Sequence, residues 1–589
     1  MKTTLLSLCV LLIFLMLLTG IVWGQIATPN ANVTIIGLIP IPGWSPVTGG
    51  SFDLGTFNPV NRLIYFGDGT NHAVTTVDTV TNTFVSSINP PGCTTPSCPS
   101  GIQVAPDLQK LVVTSRQTTD WIYDLKTPGA PPVTVTVPSG TDELDYDPIH
   151  QRVYVANTNA PFFLTGIDLA GANANMVVAQ IPLPGNPEQP RFNPVDGMIY
   201  MAIPSVGLVV IDPNAGSTGT GAIVTTLTGG GSGSLPSIAA CGPQGNDIDP
   251  VTNTMLIGCR GTLNGEAVLN LTTGQMLSFQ PYPTSNDVLK FNPNTRRWYT
   301  GTGGNLNNGG NCPSTNTGTV WPALGVFAAP APGSTSLNAT FVGTTCTGRG
   351  GQRALVDTIG NNIYVNQTQY PADPSSSSTG QSGILALNDP APTQPTPARS
   401  QSVLGSNGTV TFTQNGRTIN VFANLQGLTD APTALVVTST VGNETVACNE
   451  AAGKATCTGN LIGDPAIGGI VDLANNRKIL SKGTIASTPP LTVTGITFDT
   501  PASHRGSTYL STISGSNLTA QTYFDIRFTA PGSSANSIAP NWQTGPGVLQ
   551  SVPAATPTGT WTITGVRAHQ DPADHTGSFV LVSTPITIQ

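Results

Sequence analysis

The 589-residue chain carries 22 Lys and Arg against 30 Asp and Glu, and only 9% of its residues are charged, while Gly and Pro number 66 and 51. This composition argues against a helix-rich cytosolic enzyme and favours many strands joined by turns, in more than one domain. The formal charge of −8 is spread thinly and no Lys- or Arg-rich run occurs, which argues against nucleic acid or an anionic membrane surface as a partner.

Residues 1–24 have the pattern of a secretory signal peptide. Lys2 precedes a long apolar stretch, and the small residue Gly24 is suited to cleavage before Gln25. An uncleaved anchor is the alternative, because the apolar run is rather long for a signal. No later segment has the length to span a bilayer, so we expect a secreted, cell-surface or periplasmic protein with no membrane span after signal removal.

One short pattern recurs seven times downstream. A strand ends at Asn, Asp or Ala, a Pro turn follows, and a second strand such as "VYVAN" begins a few residues later. The dipeptides are Asn58-Pro59, Ala105-Pro106, Asp147-Pro148, Asn193-Pro194, Asp249-Pro250, Asn292-Pro293 and the Pro-less Asp357-Thr358. Their separations of 47, 42, 46, 56, 43 and 65 residues bracket the length of a four-stranded blade. The repeat predicts an all-β propeller of seven blades.

The last copy lacks a fourth strand. After "GILALND" at 383–389 the chain continues into 391–400, a Pro-rich stretch typical of a linker. Upstream of the first copy, "VTIIGLIPIPG" at 33–43 is similar to fourth strands such as "MVVAQIPLPG" at 176–185. We therefore predict that 33–41 pairs with 383–388 as the outermost strand of the last blade. This pairing would close the ring, whereas a linear solenoid has no means of supplying the strand.

The strings "VYVANT" at 153–158 and "IYVNQT" at 363–368, each after its turn, resemble the YVTN type of seven-bladed β-propeller, which is related to the lactonase-like propellers. The resemblance covers residues 33–390 and implies a propeller domain at 25–390. No lactonase catalytic motif is found in this sequence, so the resemblance implies a fold and no activity.

Eight cysteines remain after the signal segment, which suits an oxidising compartment. Their spacing suggests bridges between nearest neighbours, although about 105 connectivities are open to eight cysteines. The candidate pairs are Cys93 with Cys98, Cys241 with Cys259, Cys312 with Cys346, and Cys448 with Cys457. A zinc site is the alternative, but the chain has neither CxxC pairs nor helper histidines.

In an antiparallel four-stranded blade, first strands begin and second strands end on one side of the ring, which we name the loop face. The longer connections fall there, at 89–101, 229–245, 304–322 and 373–382. Five residues before each dipeptide stand Asp53, Ser100, Asp142, Glu188, Gln244, Asp287 and Gln352, with Arg353 adjoining. We expect these side chains to converge around the mouth of the central channel. Such carboxylates can coordinate Ca²⁺ or another divalent cation, or work as acids and bases; a solvated polar mouth is the alternative.

Residues 401–589 change pattern to clean alternation, as in "GTVTFTQNGRTINVFANLQG". We predict two β-sandwich modules, at 401–490 and 491–589, which look like bacterial Ig-like modules, and a single module is the alternative. The cluster "AHQDPADHTG" holds His569, Asp571, Asp574 and His575, which is either a metal site or an ordinary polar turn.

Two hypotheses for function follow. The propeller region has just His72 and His150, and no GxSxG, HExxH or P-loop motif occurs in the chain. The first hypothesis is a secreted, non-catalytic binding or adhesion protein that takes an extracellular protein, a glycan or a small polar ligand on its disulfide-rich loop face. The alternative is a lactonase-like hydrolase with a carboxylate-lined site in the channel mouth.

Overall fold

The structure is a computed structural model, and the chain divides into two compact units whose main boundary falls between residues 394 and 395. Each unit is treated by itself below. The structure describes residues 30–45, 52–95, 98–215, 221–229, 235–281, 283–304, 322–348, 350–351, 353–370, 381–391, 399–415, 418–475, 478–487, 492–499, 502–516, 518, 522–542, 549–553, 555–569 and 578–589. The predicted signal peptide lies outside these residues.

The first unit consists of four-stranded antiparallel sheets with one short helix, α1 (Ile238–Cys241). Its strands are β1 (Thr34–Ile39), β2 (Phe52–Asn58), β3 (Leu63–Asp68), β4 (Ala73–Asp78), β5 (Thr83–Ile88), β6 (Ile102–Ala105), β7 (Lys110–Val113), β8 (Thr119–Asp124), β9 (Val133–Thr136), β10 (Thr141–Asp147), β11 (Arg152–Asn157), β12 (Phe163–Asp168), β13 (Met176–Pro182), β14 (Pro190–Asn193), β15 (Met198–Ile203), β16 (Gly207–Asp212), β17 (Ala222–Leu227), β18 (Pro243–Asp249), β19 (Thr254–Arg260), β20 (Asn264–Asn270), β21 (Gln275–Gln280), β22 (Thr284–Asn292), β23 (Arg297–Gly304), β24 (Ala323–Ala328), β25 (Thr340–Cys346), β26 (Ala354–Asp357), β27 (Asn362–Tyr370) and β28 (Gln381–Asn388).

Seven such sheets occur within the described residues. Six of them take four consecutive strands each, from β2–β5 through β22–β25, and the seventh has the order β1-β28-β27-β26. We number them first to seventh in that order. The leading strands β2, β6, β10, β14, β18, β22 and β26 each contact the leading strands of the sheets before and after, and β26 contacts β2. This cyclic contact closes the sheets into a ring, the architecture of a β-propeller.

Burial explains the hydropathy of the strands. Second and third strands, such as β11 and β16, are buried along nearly their whole length because both of their faces pack against neighbouring sheets. Outer strands such as β5 are mostly exposed. A near-continuous apolar run therefore marks the middle of a sheet and a mixed polar sequence marks its rim.

The recurring dipeptide forms the turn between the first two strands of each sheet. The Asn58 Oδ1 atom accepts a hydrogen bond from the Val60 N–H at 3.0 Å, and Arg62, at φ 60°, donates its N–H to the Asn58 carbonyl at 2.9 Å. The same side-chain bond to the second following N–H is made by Asp147, Asn193, Asp249, Asn292 and Asp357. The pattern therefore recurs because Asn and Asp cap their own backbone in this turn.

The same turn residues join neighbouring sheets. The Asn193 Nδ2 atom donates to the Asn253 Oδ1 atom of the next sheet at 2.9 Å, and Asn292 donates in the same way to Asn361 at 3.1 Å. Between the seventh and first sheets, Arg62 Nη2 lies 2.9 Å from the fully buried Asp357 Oδ2. An ion pair therefore stands at the junction where the ring closes.

The predicted pairing of the N-terminal segment with residues 383–388 is confirmed. β1 lies antiparallel to β28, with Thr34 opposite Asn388 and Ile39 opposite Ile384. Ile39 and the following Ile41 are buried in a hydrophobic cluster that also contains residues of the first and seventh sheets. The segment therefore completes one sheet and packs between two.

Three predicted disulfides are present among the described residues: Cys93–Cys98, Cys241–Cys259 and Cys448–Cys457. Cys346 is also disulfide-bonded, and its predicted partner Cys312 lies outside the described residues. Cys93–Cys98 and Cys241–Cys259 lie on the loop face or at the loop-face end of a strand. These two bridges restrict the movement of the connections on that face.

The second unit begins with a closed barrel where we expected a sandwich at 401–490. Its strands are β29 (Arg399–Val403), β30 (Thr409–Asn415), β31 (Thr418–Gln426), β32 (Ala434–Ser439), β33 (Gly442–Ala451), β34 (Lys454–Leu461), β35 (Ile470–Asn475) and β36 (Lys478–Ser487). β29 pairs with both β30 and β36, so the sheet has no free edge. Alternation predicted one buried face correctly, but barrels and sandwiches share that pattern and differ only in which strands pair.

The remaining strands form two sheets, of three and five strands. They are β37 (Thr492–Phe498), β38 (Ala502–Ser503), β39 (Thr508–Ser516), β40 (Tyr523–Thr529), β41 (Asn536–Trp542), β42 (Leu549–Ser551), β43 (Gly559–His569) and β44 (Val580–Ile588). Ile496 and Ile513 of the smaller sheet share one hydrophobic cluster with Phe524, Ile526 and Val566 of the larger sheet. This packing of two sheets on one core is a β-sandwich.

Candidate ligand-binding site

The candidate site lies on the loop face, at the starts of the leading strands. Asp53, Asp142 and Asp287 belong to the first residues of β2, β10 and β22, and Glu188 comes shortly before β14. The pairing of these three strands with their neighbours shifts register at a bulge next to the aspartates. A bulge bends a strand and redirects its side chains, so the side chains of these aspartates do not follow the regular alternation of the strand between its two faces.

Arginine side chains connect the three aspartates into a chain of ion pairs. Arg353 Nη2 lies 2.8 Å from Asp287 Oδ2 and 3.3 Å from Asp53 Oδ1. Arg116 Nη2 lies 3.1 Å from the other oxygen of Asp53 and 2.7 Å from Asp142 Oδ2. Asp53, Asp142 and Asp287 are therefore linked by two guanidinium groups, each of which contacts two of these aspartates.

A third arginine extends the chain. Arg260, the last residue of β19, places Nη1 3.1 Å from Asp287 Oδ1. Arg116 and Arg260 both stand where a second strand ends, and antiparallel geometry brings that point to the same face as the starts of the leading strands. We name the eight charged residues here the carboxylate–arginine cluster: Asp53, Asp142, Glu143, Glu188, Asp287, Arg116, Arg260 and Arg353.

Two carboxylates of the cluster have no bonded partner among the described residues. Glu188 is half-buried, and burial together with the Asp287 charge raises its pKa to about 7, against the opposing effect of Arg260. Glu143 is only 5% exposed, and its Oε2 atom has no hydrogen-bond partner in the described part of the chain. Burial and the Glu188 charge raise the Glu143 pKa well above its usual value.

Asp142 also carries an unsatisfied atom. Its Oδ1 is buried without a hydrogen bond among the described residues, while Oδ2 takes the Arg116 ion pair. Burial and the Asp53 charge raise the pKa of Asp142 to about 8, and the Arg116 charge opposes that rise. The cluster therefore contains buried acceptor oxygens that have no hydrogen-bond partner among the described residues.

The other predicted mouth residues behave differently. Ser100 is fully buried, and its hydroxyl lies 3.0 Å from the Thr114 hydroxyl of its own sheet and donates to the Thr141 carbonyl of the next sheet at 3.3 Å, so it joins two sheets and does not face the mouth. Gln244 lies in β18, where its carbonyl accepts a bond of 3.4 Å from the Asn246 side chain. Gln352 lies outside the described residues.

Three residues of the cluster were not predicted from the sequence: Arg116, Arg260 and Glu143. The two arginines could have been found from the rule that placed the carboxylates, because both follow or end a second strand on the loop face. Glu143 adjoins Asp142 and is placed by the bulge between Thr141 and Leu144, which a regular alternation does not predict.

The described residues contain no group of three or more His, Cys, Asp or Glu side chains that could hold a metal ion. Of the predicted C-terminal cluster only His569 is described; it is buried, with Nε2 3.1 Å from Asp525 Oδ1. Asp525 also pairs with Arg567 at 2.7 Å, so this histidine belongs to a buried polar network of the sandwich. Asp571, Asp574 and His575 lie outside the described residues.

Comparisons with known proteins assign neither a family nor an activity to this chain. No protein-family model matches the chain, and no curated protein matches it. Among solved structures, Kuenenia stuttgartiensis hydrazine synthase is similar at 15% identity over 45% of this chain and 73% of that one, with a TM-score of 0.34. U3-55K matches at 10% identity over 61% and 100%, with a TM-score of 0.43, and the RRP9 WD40 repeats match at 11% over 62% and 99%, with 0.42.

In the part of the chain that the structure describes, no helix has the length and apolar character to cross a membrane. The similarities to solved structures are too distant to bear on activity or partners. The β-propeller assignment accordingly depends on the ring of four-stranded sheets and its closing contacts.

Proposed function

We propose that this protein is a secreted seven-bladed β-propeller of the YVTN type that acts as a non-catalytic binding or adhesion protein. Its ligand, an extracellular protein, a glycan or a small polar molecule, binds on the loop face at the carboxylate–arginine cluster. The C-terminal barrel and sandwich, the latter Ig-like, serve as spacer or adhesion modules. The disulfides suit an oxidising compartment, which supports secretion.

The observation that carries this proposal is the continuous chain of ion pairs on the loop face. Arg116 and Arg353 each contact two aspartates from different sheets. Side chains that ion pairs already hold in place lose little further freedom when a ligand binds, and such preorganisation favours binding. A rigid ring that presents polar groups among longer connections is also the usual setting for a binding site.

A binding screen with shortened connections tests the proposal. The chain is tested against a panel of extracellular proteins, glycans and small polar ligands, beside a variant that lacks residues 374–378 of the loop-face connection 373–382, which contains no cysteine. The matched control lacks residues 216–220, five residues of the sequence between β16 and β17. We expect the first deletion to weaken binding and the second to leave it unchanged. Equal binding by both variants would refute a loop-face site.

The alternative is a lactonase-like hydrolase in which Asp53, Asp142, Glu188 and Asp287 act as metal or acid–base groups. One observation favours it, since a pKa of about 7 suits Glu188 for general acid–base catalysis. Against it, guanidinium groups already engage the three aspartates. Elemental analysis of the purified protein with a lactone and ester activity screen separates the two. Bound metal with turnover that Glu188→Gln abolishes would establish the enzyme.

A further inference from the structure

The disulfide bridges of this chain differ in how far solvent reaches their cysteines. Seven described cysteines are disulfide-bonded, and six of them are buried, with at most 8% of the residue exposed: Cys93, Cys98, Cys241, Cys259, Cys346 and Cys457. Cys448 differs from these, because it is only half-buried and packs at the margin of the barrel core. Of the bridges whose two cysteines are described, Cys448–Cys457 is therefore the one that a reagent in solution can reach.

Access matters because a disulfide is reduced by direct attack of a thiolate on one of its sulfur atoms. A bridge whose two cysteines are buried is protected as long as the surrounding strands stay folded, as Cys241–Cys259 is. At the barrel bridge the thiolate approaches from the Cys448 side, because Cys457 lies within the hydrophobic core. The exposure of Cys448 thus selects both the bridge and the sulfur atom at which exchange begins.

The two cysteines occupy opposed positions of a hairpin. β33 and β34 are joined by Ala452 and Gly453, at φ 51° and 74°, and positive values at both positions are typical of a tight hairpin turn. The ladder runs from this turn to Cys448, which pairs with Cys457, and their Cα atoms are 4.1 Å apart. Because the turn sets the register, the two thiols of the reduced hairpin meet again whenever the ladder closes. The bridge can therefore re-form, and the exchange is reversible.

Both strands of the hairpin are also held on their other sides. β34 pairs with β31 along all eight of its residues, whereas its ladder with β33 spans four residues of each strand, 448–451 with 454–457. We name this shorter ladder the barrel seam. The Cys448 N–H donates to the Thr433 carbonyl, just before β32, at 3.0 Å. The bridge stands at the end of the seam away from the turn, so its reduction loosens the seam and leaves the pairing of β34 with β31 in place.

We propose that Cys448–Cys457 is a thiol–disulfide exchange site at which a dithiol reductant opens the barrel seam. One thiolate of the reductant bonds to Cys448 Sγ, the S–S bond breaks, and Cys457 Sγ leaves with the electron pair and takes up a proton. The second thiolate of the reductant then attacks the mixed disulfide and releases Cys448, which also takes up a proton. The reductant ends as a disulfide, so the two electrons and two protons that it loses are those that the bridge gains. The site belongs to the barrel and is independent of the loop-face function proposed above.

Timed reduction of the folded full chain with dithiothreitol tests the proposal. Samples are quenched with iodoacetamide, and peptide mass spectrometry measures the alkylation of each cysteine. We expect Cys448 and Cys457 to be alkylated at least about tenfold faster than Cys241 and Cys259, because exchange requires access to a sulfur atom. In denaturant the difference should disappear, since unfolding exposes all of the bridges. Equally fast reduction of Cys241–Cys259 in the folded chain would overturn the proposal.

Hydrogen exchange measures what reduction does to the barrel. After selective reduction, the amides of the barrel seam should exchange at least about tenfold faster, while those between β31 and β34 stay protected. Cys448→Ser with Cys457→Ser should exchange like the reduced chain and show no response to dithiothreitol. Cys241→Ser with Cys259→Ser is the matched control and should keep the response at the seam. Equal protection of the seam in the oxidised and reduced unsubstituted chain, a comparison that needs no variant to fold, would overturn the proposed opening.

Thioredoxin, a protein dithiol, is used beside dithiothreitol to distinguish the source of the reductant. Selective reduction by thioredoxin supports a partner protein that carries a dithiol, whereas reduction by dithiothreitol alone supports a small dithiol. Reduction of the folded chain by neither would overturn the proposal. After the reductant is removed, glutathione disulfide should restore the Cys448–Cys457 pairing, and failure to restore it would contradict a reversible exchange.

Discussion

Replacing Ile39 and Ile41 with alanine tests whether the N-terminal segment holds the ring closed. Both side chains are buried, at 4% and 3% exposure, in the cluster that joins the first and seventh sheets. Truncating a buried isoleucine to alanine costs about 2–5 kcal/mol. Because the two residues are neighbours and their effects are not additive, we expect a combined loss of roughly 4–8 kcal/mol. That approaches the whole stability of a domain, which is about 5–15 kcal/mol.

Ile36 supplies the control from the same strand, since it is 46% exposed. Its alanine variant should change the free energy of unfolding by no more than about 0.5 kcal/mol. Urea unfolding measures both variants and the unsubstituted protein, and hydrogen exchange should show slow amides in β1 comparable to those of β28 in the unsubstituted protein. If the double variant is as stable as the control, or if β1 exchanges fast while the ring stays protected, closure does not depend on this segment.

Three further predictions concern other buried contacts. Burial raises the pKa of Asp120 to about 8, so between about pH 4 and 8 the folded protein binds a proton that the unfolded chain has lost. Stability should therefore fall as the pH rises through this range, by up to about 1.4 kcal/mol per pH unit. Asp120→Asn should flatten that profile, and an unchanged slope in urea unfolding would refute the prediction. Arg62→Met leaves the buried Asp357 without its ion pair and should lower the free energy of unfolding by about 1–3 kcal/mol in the same assay. Unchanged stability would show that this ion pair does not stabilise the junction between the seventh and first sheets. Replacing Cys241 and Cys259 with serine removes the bridge that closes a loop of 18 residues, and it should lower the free energy of unfolding by about 3 kcal/mol, measured by thermal unfolding. A loss below about 1 kcal/mol would mean that the packing of α1 and β19 is enough to hold this connection.

The C-terminal modules show where a sequence pattern is insufficient. Alternation located the strands of the barrel, because each buries one face, as Val410 and Phe412 of β30 do. It did not predict that β29 would pair with β36, because these are the first and last strands of the module in sequence order. Their alternation is the same whether they pair with each other or remain as free edges. Pairing between strands that are far apart in the sequence depends on the assembled sheet, and no pattern in the local sequence indicates it.

In the candidate site, too, the sequence predicted some features and the tertiary structure decided others. Counting back from each turn selected Asp53, Asp142 and Asp287, because each of them lies five residues before its turn, at a register shift in its leading strand. The same count failed for Ser100, whose neighbour Gly101 lies so close to the Asp142 carbonyl that a Cβ there would stand 2.1 Å from it, which leaves this strand start buried. Equivalent positions in a repeat therefore share a backbone location without sharing an environment.

The sequence by itself determined the repeat, its turns and the strand that completes the last sheet. These features are local or periodic: Asn or Asp caps its own turn, apolar runs mark buried strands, and a missing strand is matched by a spare one. Only the tertiary structure decided which charges meet. The arginine partners of Asp53, Asp142 and Asp287 come from other sheets, up to 300 residues away in the case of Arg353 and Asp53. Ion pairing depends on distance in space, and closure of the ring is what brings these side chains within reach of one another.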